Sequence, residues 1–362
     1  MFWCSCSSVA SVSAAPSAQQ QRYAAGLHRF IEHHQRSASD NLKLQGDYLT
    51  SVVKKEGCEK GWEYVIVEDI EKEGAFDEAI KGVDAVEHTA SPFHFRVTDP
   101  FADLINPAVQ GTLGLLRALP THTPFLSVLP HRCERLTRET AGSAAKEPKV
   151  KRVVITSSFA AVVEPHEPVY EYSEKDWNET SPRMVEEKGK ETDPFHAYRA
   201  SKTLAERAAW DFVDKEKPGF DLATINPPFV IGPLLHEVPS ADKLNTSVAM
   251  FYGFLTGDKK AEDAQGGSGS MTDVRDVAHC HIEALVRPDA SMKRFCVATQ
   301  SFTWQMCLDA VHATKDDDLV SKTFPNAVVG NTGAPEPKQN KISTAQARKV
   351  FEWQPIPLEK TA

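Results

Sequence analysis

Two short apolar segments most limit what this 362-residue chain can fold into. Residues 151–158 (KRVVITSS) run from basic residues through β-branched apolar residues to a cluster of hydroxyls. Residues 221–228 (DLATINPP) form a similar segment, which ends in two prolines that fix the following loop. Continuous apolar runs of this length are typical of strands that are buried on both faces in a parallel sheet. The two segments therefore predict an α/β fold with a mostly parallel sheet.

The segment between these strands carries Tyr198 and Lys202 at helical spacing. At that spacing both side chains project from one helix face. A phenol is a poor acid or base at neutral pH, and a fixed ammonium beside it lowers its pKa toward the working range. A serine hydroxyl at the end of a neighbouring strand would then hold a substrate oxygen while Tyr198 gives or takes its proton. Alone, this spacing more often belongs to an amphipathic helix with a half-buried tyrosine, but the flanking strands favour the acid–base interpretation.

Several motifs, in order along the chain, resemble those of the extended short-chain dehydrogenase/reductase family, within the NAD-dependent epimerase/dehydratase superfamily. The similar branch contains dihydroflavonol-reductase-like proteins and fungal NADPH-dependent aldehyde and ketone reductases. The matching segments are residues 88–93 (HTASPF), 153–161 (VVITSSFAA), 197–202 (AYRASK), 226–233 (NPPFVIGP) and 272–278 (TDVRDVA). The resemblance implies a Rossmann-type, doubly wound parallel sheet with a small C-terminal substrate domain.

The same resemblance implies a reductase that converts a ketone or aldehyde to an alcohol, with NADP(H) preferred over NAD(H). It assigns Ser158 to orient the carbonyl oxygen, Tyr198 to donate the proton, and Lys202 to activate the tyrosine and hold the cofactor ribose. Arg36 would meet the 2′-phosphate of NADPH. The implied cofactor-binding residues are Arg36, Asp69, Ile70, Thr89, Ala90, Ser91, Ser157, Tyr198, Lys202, Asn226, Pro227 and Val230.

Two features depart from the family pattern. The family opens with a strand and a glycine-rich turn, G-x-x-G-x-x-G, whose backbone N–H groups hold the cofactor pyrophosphate, and this chain contains no such motif. In addition, residues 120–142 interrupt a connection that relatives make almost directly, and their three prolines and mixed charges show no periodicity. Together the departures suggest a lost first exon and a translated intron, a hypothesis that continuous transcript coverage of both segments would contradict.

The predicted organisation has three parts. Residues 1–35 form an atypical segment that is expected to lack order, and residues 36–233 form the Rossmann-type cofactor-binding domain, with 120–142 as an inserted loop. Residues 234–362 form mainly the substrate domain and return to the sheet near 271–299. Periodicity predicts further strands at residues 63–70, 83–90 and 294–298, and helices at 44–55, 76–80 and 105–119.

Composition excludes several classes of function. The formal net charge of −9, without a basic stripe, argues against a nucleic-acid partner. No apolar run reaches membrane-spanning length, and the serine-rich start lacks the positive region of a secretion signal. The seven cysteines lack metal-ligand spacing, so no metal site is expected, and reduced thiols in a cytoplasmic protein are favoured. The expected partner is a small-molecule carbonyl substrate, and the expected state is a monomer or weak homodimer.

Two alternatives stay open. The missing glycine motif is also consistent with a non-catalytic paralogue or misassembled gene product that keeps the catalytic residues but cannot hold the cofactor. A nucleotide-sugar epimerase or dehydratase would use the same scaffold, but the HTASPF segment matches the reductases and no uridine-diphosphate motif is present. NADPH binding by the purified chain distinguishes the first alternative from a working reductase.

Overall fold

Strands and helices alternate along the chain, as the apolar segments predict. The computed structural model describes residues 8–9, 28–32, 39–55, 57, 62–92, 94–95, 97–119, 150–167, 169–235, 238–313, 317–333 and 337–361. The strands are β1 (Ser8–Val9), β2 (His28–Glu32), β3 (Trp62–Ile66), β4 (Ala85–His88), β5 (Arg152–Thr156), β6 (Glu171–Tyr172), β7 (Asp221–Asn226), β8 (Phe229–Ile231), β9 (Gly267–Asp273), β10 (Lys293–Cys296), β11 (Gln300–Thr303) and β12 (Lys341–Ile342). The α-helices are α1 (Ser39–Lys55), α2 (Asn106–Ala118), α3 (Thr180–Lys188), α4 (Pro194–Glu216), α5 (Thr246–Leu255), α6 (Val274–Val286), α7 (Trp304–His312), α8 (Asp317–Thr323) and α9 (Ala345–Phe351). Within these ranges, no helix combines the length and the apolar character that crossing a bilayer requires.

Four parallel strands form the central sheet, in the order β10–β7–β5–β4. In the register of this sheet, Val153 of β5 lies opposite Leu222 of β7 and Val86 of β4. Every residue of β5 is buried. The charged member of β5, Arg152, is paired with Asp221 at the start of β7, because a buried guanidinium requires a partner.

Helices cover both faces of the central sheet. On one face, Leu115 of α2 and Ala209 of α4 join the core cluster that contains Val153. On the other face, Cys280 of α6 joins the cluster that contains Val154. Consecutive residues of β5 thus face opposite helical layers, as the two-residue period of a strand requires. This explains why the whole segment is apolar rather than alternating.

A separate sheet holds β1, β2 and β3. β2 and β3 are parallel, with His28 opposite Trp62, whereas β1 pairs antiparallel with β2. β1 also contacts β4, so this two-residue strand lies between the two sheets. In a doubly wound sheet the first strand lies between the second and the fourth. A short antiparallel strand therefore lies where the family pattern calls for a longer parallel one.

The C-terminal part has its own small sheet, β8–β9–β11, which mixes parallel and antiparallel pairs. Its core cluster includes Phe254 of α5, Met271 of β9, Phe302 of β11 and Trp304 of α7. A further parallel pair joins β12 to β6. This part of the chain therefore has a core of its own, as a small substrate domain requires. The exact domain limits stay a prediction.

The predicted fold class, a Rossmann-type doubly wound parallel sheet, is confirmed by this architecture and by the comparisons reported below. Two local predictions were wrong. Residues 76–80 form hydrogen-bonded turns instead of a helix, and they lie between Gly74 and Gly82, which both have positive φ. The strand expected at 63–70 ends at Ile66. Both β1 and β2 lie within residues 1–35, and the assignment of that segment stays a prediction. The inserted loop at 120–142 lies outside the described residues.

Candidate active site

The carboxyl edge of the central sheet brings the predicted serines to the ends of β5 and β7. Ser157 follows β5 directly, and its N–H donates to the carbonyl oxygen of Ile225 on β7 (2.9 Å). Ser158 has an extended backbone, and its Oγ accepts a hydrogen bond from the N–H of Ala160 (3.1 Å) at the start of a short 3-10 helix. A hydroxyl can donate one hydrogen bond and accept two, so Ser158 Oγ keeps the capacity to donate to a substrate oxygen.

α4 presents Tyr198 and Lys202 to the same edge. The helix start is fixed by Asp193, whose Oδ1 accepts from the N–H of Phe195 (3.1 Å). Lys202 is 8% exposed, and its Nζ lies 5.9 Å from the centroid of the Tyr198 ring. The ring of Phe95 packs edge-on against Tyr198, with centroids 6.4 Å apart. A buried ammonium therefore lies beside the phenol, which is the arrangement that the sequence motif requires.

His88, at the end of β4, is a buried neutral side chain. Neither ring nitrogen has a hydrogen-bond partner in the part of the chain that the structure describes. Burial, and then the charge of Lys202, lower the pKa of His88 to about 4. Its ring packs edge-on against Phe76, with centroids 6.4 Å apart. These features favour a packing role over proton transfer.

Ser158, Tyr198 and Lys202 all line one cavity of about 830 Å³. Sites for small molecules and cofactors commonly have volumes of roughly 300–1,000 Å³. The cavity is also lined by Met250 of α5 and Trp304 of α7. The cavity thus lies between the central sheet and the C-terminal part of the chain, where a substrate domain would close over a reaction centre.

Five further predicted cofactor residues line this cavity. They are Thr89, Ser91, Ser157, Pro227 and Val230. The Oγ of Ser91 is buried and has no hydrogen-bond partner among the described residues. Buried polar atoms are normally satisfied, so an unpaired hydroxyl on a cavity wall is suited to bind a ligand.

The remaining predicted cofactor residues lie away from the cavity or outside the described ranges. Ile70 and Ala90 are buried in the core cluster on one face of the sheet. Asn226 is 1% exposed and is not among the residues that line the cavity, and Asp69 is exposed on the surface. Arg36 lies outside the described residues. A cofactor role for these five residues stays a prediction.

A buried carboxylate that the sequence did not reveal organises this edge. Glu206, two turns after Tyr198 on α4, is 2% exposed. It accepts hydrogen bonds from Ser157 Oγ (2.5 Å) and Asn226 Nδ2 (2.7 Å), so it fixes the segments that follow β5 and β7. Its charge is balanced by Arg294 of β10, whose Nε donates at 2.6 Å. No motif marks Glu206, because a glutamate on a helix is usually solvated.

Arg294 extends this connection to the loop between β6 and α3. Its Nη1 donates to the carbonyl oxygens of Glu174 and Asp176 (both 2.7 Å), in the loop between β6 and α3. Its guanidinium lies 3.7 Å from the centroid of the Trp177 ring. One ion pair therefore links α4, the strand ends and this loop.

The described residues fit one half of a nicotinamide cofactor. The unpaired Ser91 hydroxyl, the hydroxyls of Thr89 and Ser157, and the Lys202 ammonium offer hydrogen-bonding groups to a ribose and an amide. They do not provide a site for the pyrophosphate half of the cofactor, because the sequence lacks the glycine-rich turn and β1 is only two residues long. Across the described ranges, no cluster of histidine, cysteine, aspartate or glutamate side chains is suited to a metal ion.

Comparisons with known proteins give one consistent group of relatives, although no protein-family model matches the chain. The chain is 39% identical over 283 residues to ketoreductase azaE of Aspergillus niger, and the aligned region covers 75% of this chain and 72% of the relative. It is 34% identical over 326 residues to the putative NADPH-dependent methylglyoxal reductase GRP2 of Candida albicans, and the aligned region covers 88% of this chain and 86% of the relative. The crystal structure of Candida albicans Gre2 in complex with NADPH matches with a TM-score of 0.71 and 31% identity, over 91% of this chain and 88% of that chain.

Proposed function

The chain belongs to the extended short-chain dehydrogenase/reductase family, and on this premise we propose that it is an NADPH-dependent reductase of ketones or aldehydes. The observation that carries the proposal is that Ser158, Tyr198 and Lys202 line one cavity at the carboxyl edge of the sheet. Of the similar proteins, azaE is named a ketoreductase and GRP2 a putative NADPH-dependent methylglyoxal reductase, and the crystal structure of Gre2 is a complex with NADPH.

Each of the three residues has a separate role in the reaction. Ser158 Oγ donates to the carbonyl oxygen and orients it. Tyr198 gives its proton to that oxygen as the carbonyl carbon receives a hydride, and the product is the alcohol. The charge of Lys202 stabilises the phenolate that remains, which then regains a proton from solvent.

Residues of the cavity would hold the nicotinamide end of the cofactor. When bound, NADPH supplies the hydride. Thr89, Ser91 and Ser157 would bind the nicotinamide–ribose half, because they line the cavity together with Lys202. Arg36 is proposed to meet the 2′-phosphate. Asp69 and Ile70 are proposed to flank the adenine. The further proposed cofactor contacts are Ala90, Asn226, Pro227 and Val230.

A second candidate function follows from the missing pyrophosphate site. The chain lacks the glycine-rich turn, and a two-residue antiparallel strand lies at its expected place in the sheet. Backbone N–H groups at such a turn normally hold the pyrophosphate. A non-catalytic paralogue would keep the reaction residues while binding the cofactor weakly.

NADPH titration followed by tryptophan fluorescence separates the two candidates, since Trp304 lines the cavity. We expect weak binding by the unmodified chain. A hybrid that carries the first strand and glycine-rich turn of a close relative should bind NADPH and reduce small aryl or aliphatic carbonyls. A hybrid that binds NADPH but reduces none of them would contradict the reductase proposal. Tight binding by the unmodified chain would instead show that the turn is dispensable.

We further propose that the protein acts in the cytoplasm as a monomer or weak homodimer. Its partner would be a small-molecule carbonyl substrate. Cys280, Cys296 and Cys307 are buried free thiols, which suits a reducing compartment. Sedimentation at several protein concentrations and fractionation of the source cells test both statements. A stable tetramer, or recovery in a secreted fraction, would contradict them.

A further inference from the structure

Arg199, the neighbour of Tyr198 on α4, is a cation on the cavity wall that the reduction itself does not use. Its guanidinium lies 4.0 Å from the centroid of the Phe195 ring, one turn earlier on the helix. The side chain is half-buried, and burial lowers the pKa of Arg199 from its usual value. An arginine stays charged at neutral pH in spite of such a shift. The cavity therefore contains a partly desolvated positive charge.

This charge forms no ion pair within the described residues, although the carboxylate of Asp193, just before α4, acts on it and partly offsets the effect of burial on the pKa of Arg199. Two nearby arginines, Arg207 and Arg294, also stack on an aromatic ring, that of Trp177, but each pairs with a glutamate. Arg199 forms no ion pair with any described residue. Partly buried charges normally have a partner, because desolvation is costly. Arg199 differs from the other two arginines in this respect.

The carboxylates that line the same cavity are already engaged. Glu164 Oε2 accepts from the N–H and the hydroxyl of Thr180 at the start of α3 (3.2 and 2.9 Å). Asp263 Oδ2 accepts from the N–H of Lys260 (3.1 Å). Neither is ion-paired with Arg199 in the described structure. An anion that enters the cavity would therefore meet a guanidinium that is not already engaged in an ion pair.

The surroundings of Arg199 also indicate what joins that anion to the reacting carbonyl. Phe159, Tyr172 and Phe195 line the cavity near Ser158 and Tyr198. The guanidinium stacks on the Phe195 ring and lines the cavity together with Tyr172, so it lies at this aromatic wall. Flat or apolar groups pack favourably on such surfaces. A substrate with a carbonyl at one end, an aryl or apolar body, and a carboxylate at the other matches this order.

We propose that Arg199 is a specificity-determining residue that binds the carboxylate of an oxo-acid substrate while Ser158 and Tyr198 hold its carbonyl oxygen. This assignment rests on the proposed reductase function and narrows its substrate class. The guanidinium can bind a carboxylate through two parallel N–H donors, a geometry that fixes orientation as well as adding affinity. Neutral carbonyl compounds would lack that contact.

Matched acids and esters test this proposal. 4-Formylbenzoate and 4-acetylbenzoate are each compared with their methyl ester, which keeps the carbonyl and removes the negative charge. Binding is measured by calorimetry on the full chain, with and without NADPH. We expect the acids to bind more tightly than the esters, and Arg199→Met to weaken acid binding by about tenfold to a hundredfold with little effect on the esters. Arg199→Lys should restore part of the preference.

The control is Arg183→Met, which removes an exposed positive charge from the neighbouring helix α3 and should leave acid binding unchanged. Equal binding of acids and esters, or an equal loss of both in Arg199→Met, would overturn the proposal. NADPH oxidation by the hybrid is measured in parallel. Acid-selective binding without turnover would count against the reductase function alone, whereas turnover without acid selectivity would count against the role of Arg199 alone.

Discussion

Glu206 connects both sides of the active-site edge, although no motif contains it. Its carboxylate holds Ser157 and Asn226 and balances the charge of Arg294. Removing one member of a buried ion pair leaves the other charge without a partner, and such changes cost about 3–5 kcal/mol. The positions of the serines thus depend on a charge pair whose members are 88 residues apart in sequence.

We therefore expect Glu206→Gln to lower the free energy of unfolding by about 3 kcal/mol, because the amide leaves Arg294 charged and unpaired. Chemical denaturation followed by circular dichroism measures the change. The matched control is Glu179→Gln, which disrupts the exposed pair with Arg207 and should have little effect. Equal effects of the two substitutions would show that burial of the Glu206 pair does not matter.

Tyr198 supports a second prediction at the residue scale. In the hybrid with a restored glycine-rich turn, Tyr198→Phe should lower turnover by a factor on the order of 10²–10⁴, because the proton donor is lost while the ring is kept. NADPH affinity should stay nearly the same, since the lost hydroxyl serves the substrate. Steady-state rates and fluorescence titration measure the two quantities. Undiminished turnover would refute the role assigned to Tyr198.

At the scale of elements, the strands that were easiest to predict are those buried on both faces. β5 and β7 match the apolar segments closely, because a strand inside a covered parallel sheet needs no polar residue on either face. α4 begins at Pro194, directly after the capping residue Asp193. This local strand–helix–strand unit also explains why Ser158, Tyr198 and Lys202 could be predicted to share one site.

Elements and contacts that depend on distant residues could not be predicted in this way. The antiparallel pairing of β1 has no local signal, since a two-residue strand has no period. The turns at residues 76–80 depend on the backbone at Gly74 and Gly82, while their apolar pattern suggested a helix. Glu206 lies on α4 and its partner Arg294 on β10, so the buried pair became visible only in the fold. The unpaired state of Arg199 is likewise a property of the assembled cavity.

The connection between α2 and β5 leads to a prediction about the inserted segment. Leu119, just after α2, and Val150, just before β5, are both buried in the same core cluster. A short link could therefore join them. The sequence of residues 121–141 shows no apolar face that would be buried. We expect deletion of residues 121–141 to leave soluble expression and the thermal midpoint unchanged, whereas loss of expression would show that the segment packs against the core.

At the scale of the whole molecule, buried ionisable groups set two opposite dependences of stability on pH. Burial raises the pKa of Glu87 on β4 to about 8. Between its usual value of 4.5 and about 8, the folded chain keeps a proton that the unfolded chain has released, so stability falls as pH rises. Burial lowers the pKa values of His88 and His281 to about 4, so their contribution to stability falls as pH drops below 6.5.

Glu87→Gln should remove the first of these dependences. Near pH 5 the variant and the parent should have similar free energies of unfolding. At pH 8 the variant should be more stable by an amount on the order of a few kcal/mol, because a carboxyl group that is ionised in the unfolded parent must either take up a proton on folding or be buried as a charge. Denaturation curves at both pH values measure the difference. Glu186→Gln, at an exposed position on α3, is the control and should show no such pH-dependent gain. A uniform gain at both pH values would exclude ionisation of Glu87 as the cause.

The short antiparallel strand between the two sheets has a consequence for how the molecule opens. In place of a long central strand, β1 joins the sheet of β2 and β3 to that of β4, β5, β7 and β10. Every residue of β3 is only partly buried, whereas β5 is buried throughout, and Leu49 and Val53 of α1 form a small cluster separate from the main core. Units with less burial open at lower free energy than the rest of a fold. The backbone amides of α1 and β3 should therefore exchange with deuterium well before those of β5 and β7, as a cooperative unit that can unfold while the catalytic edge stays intact.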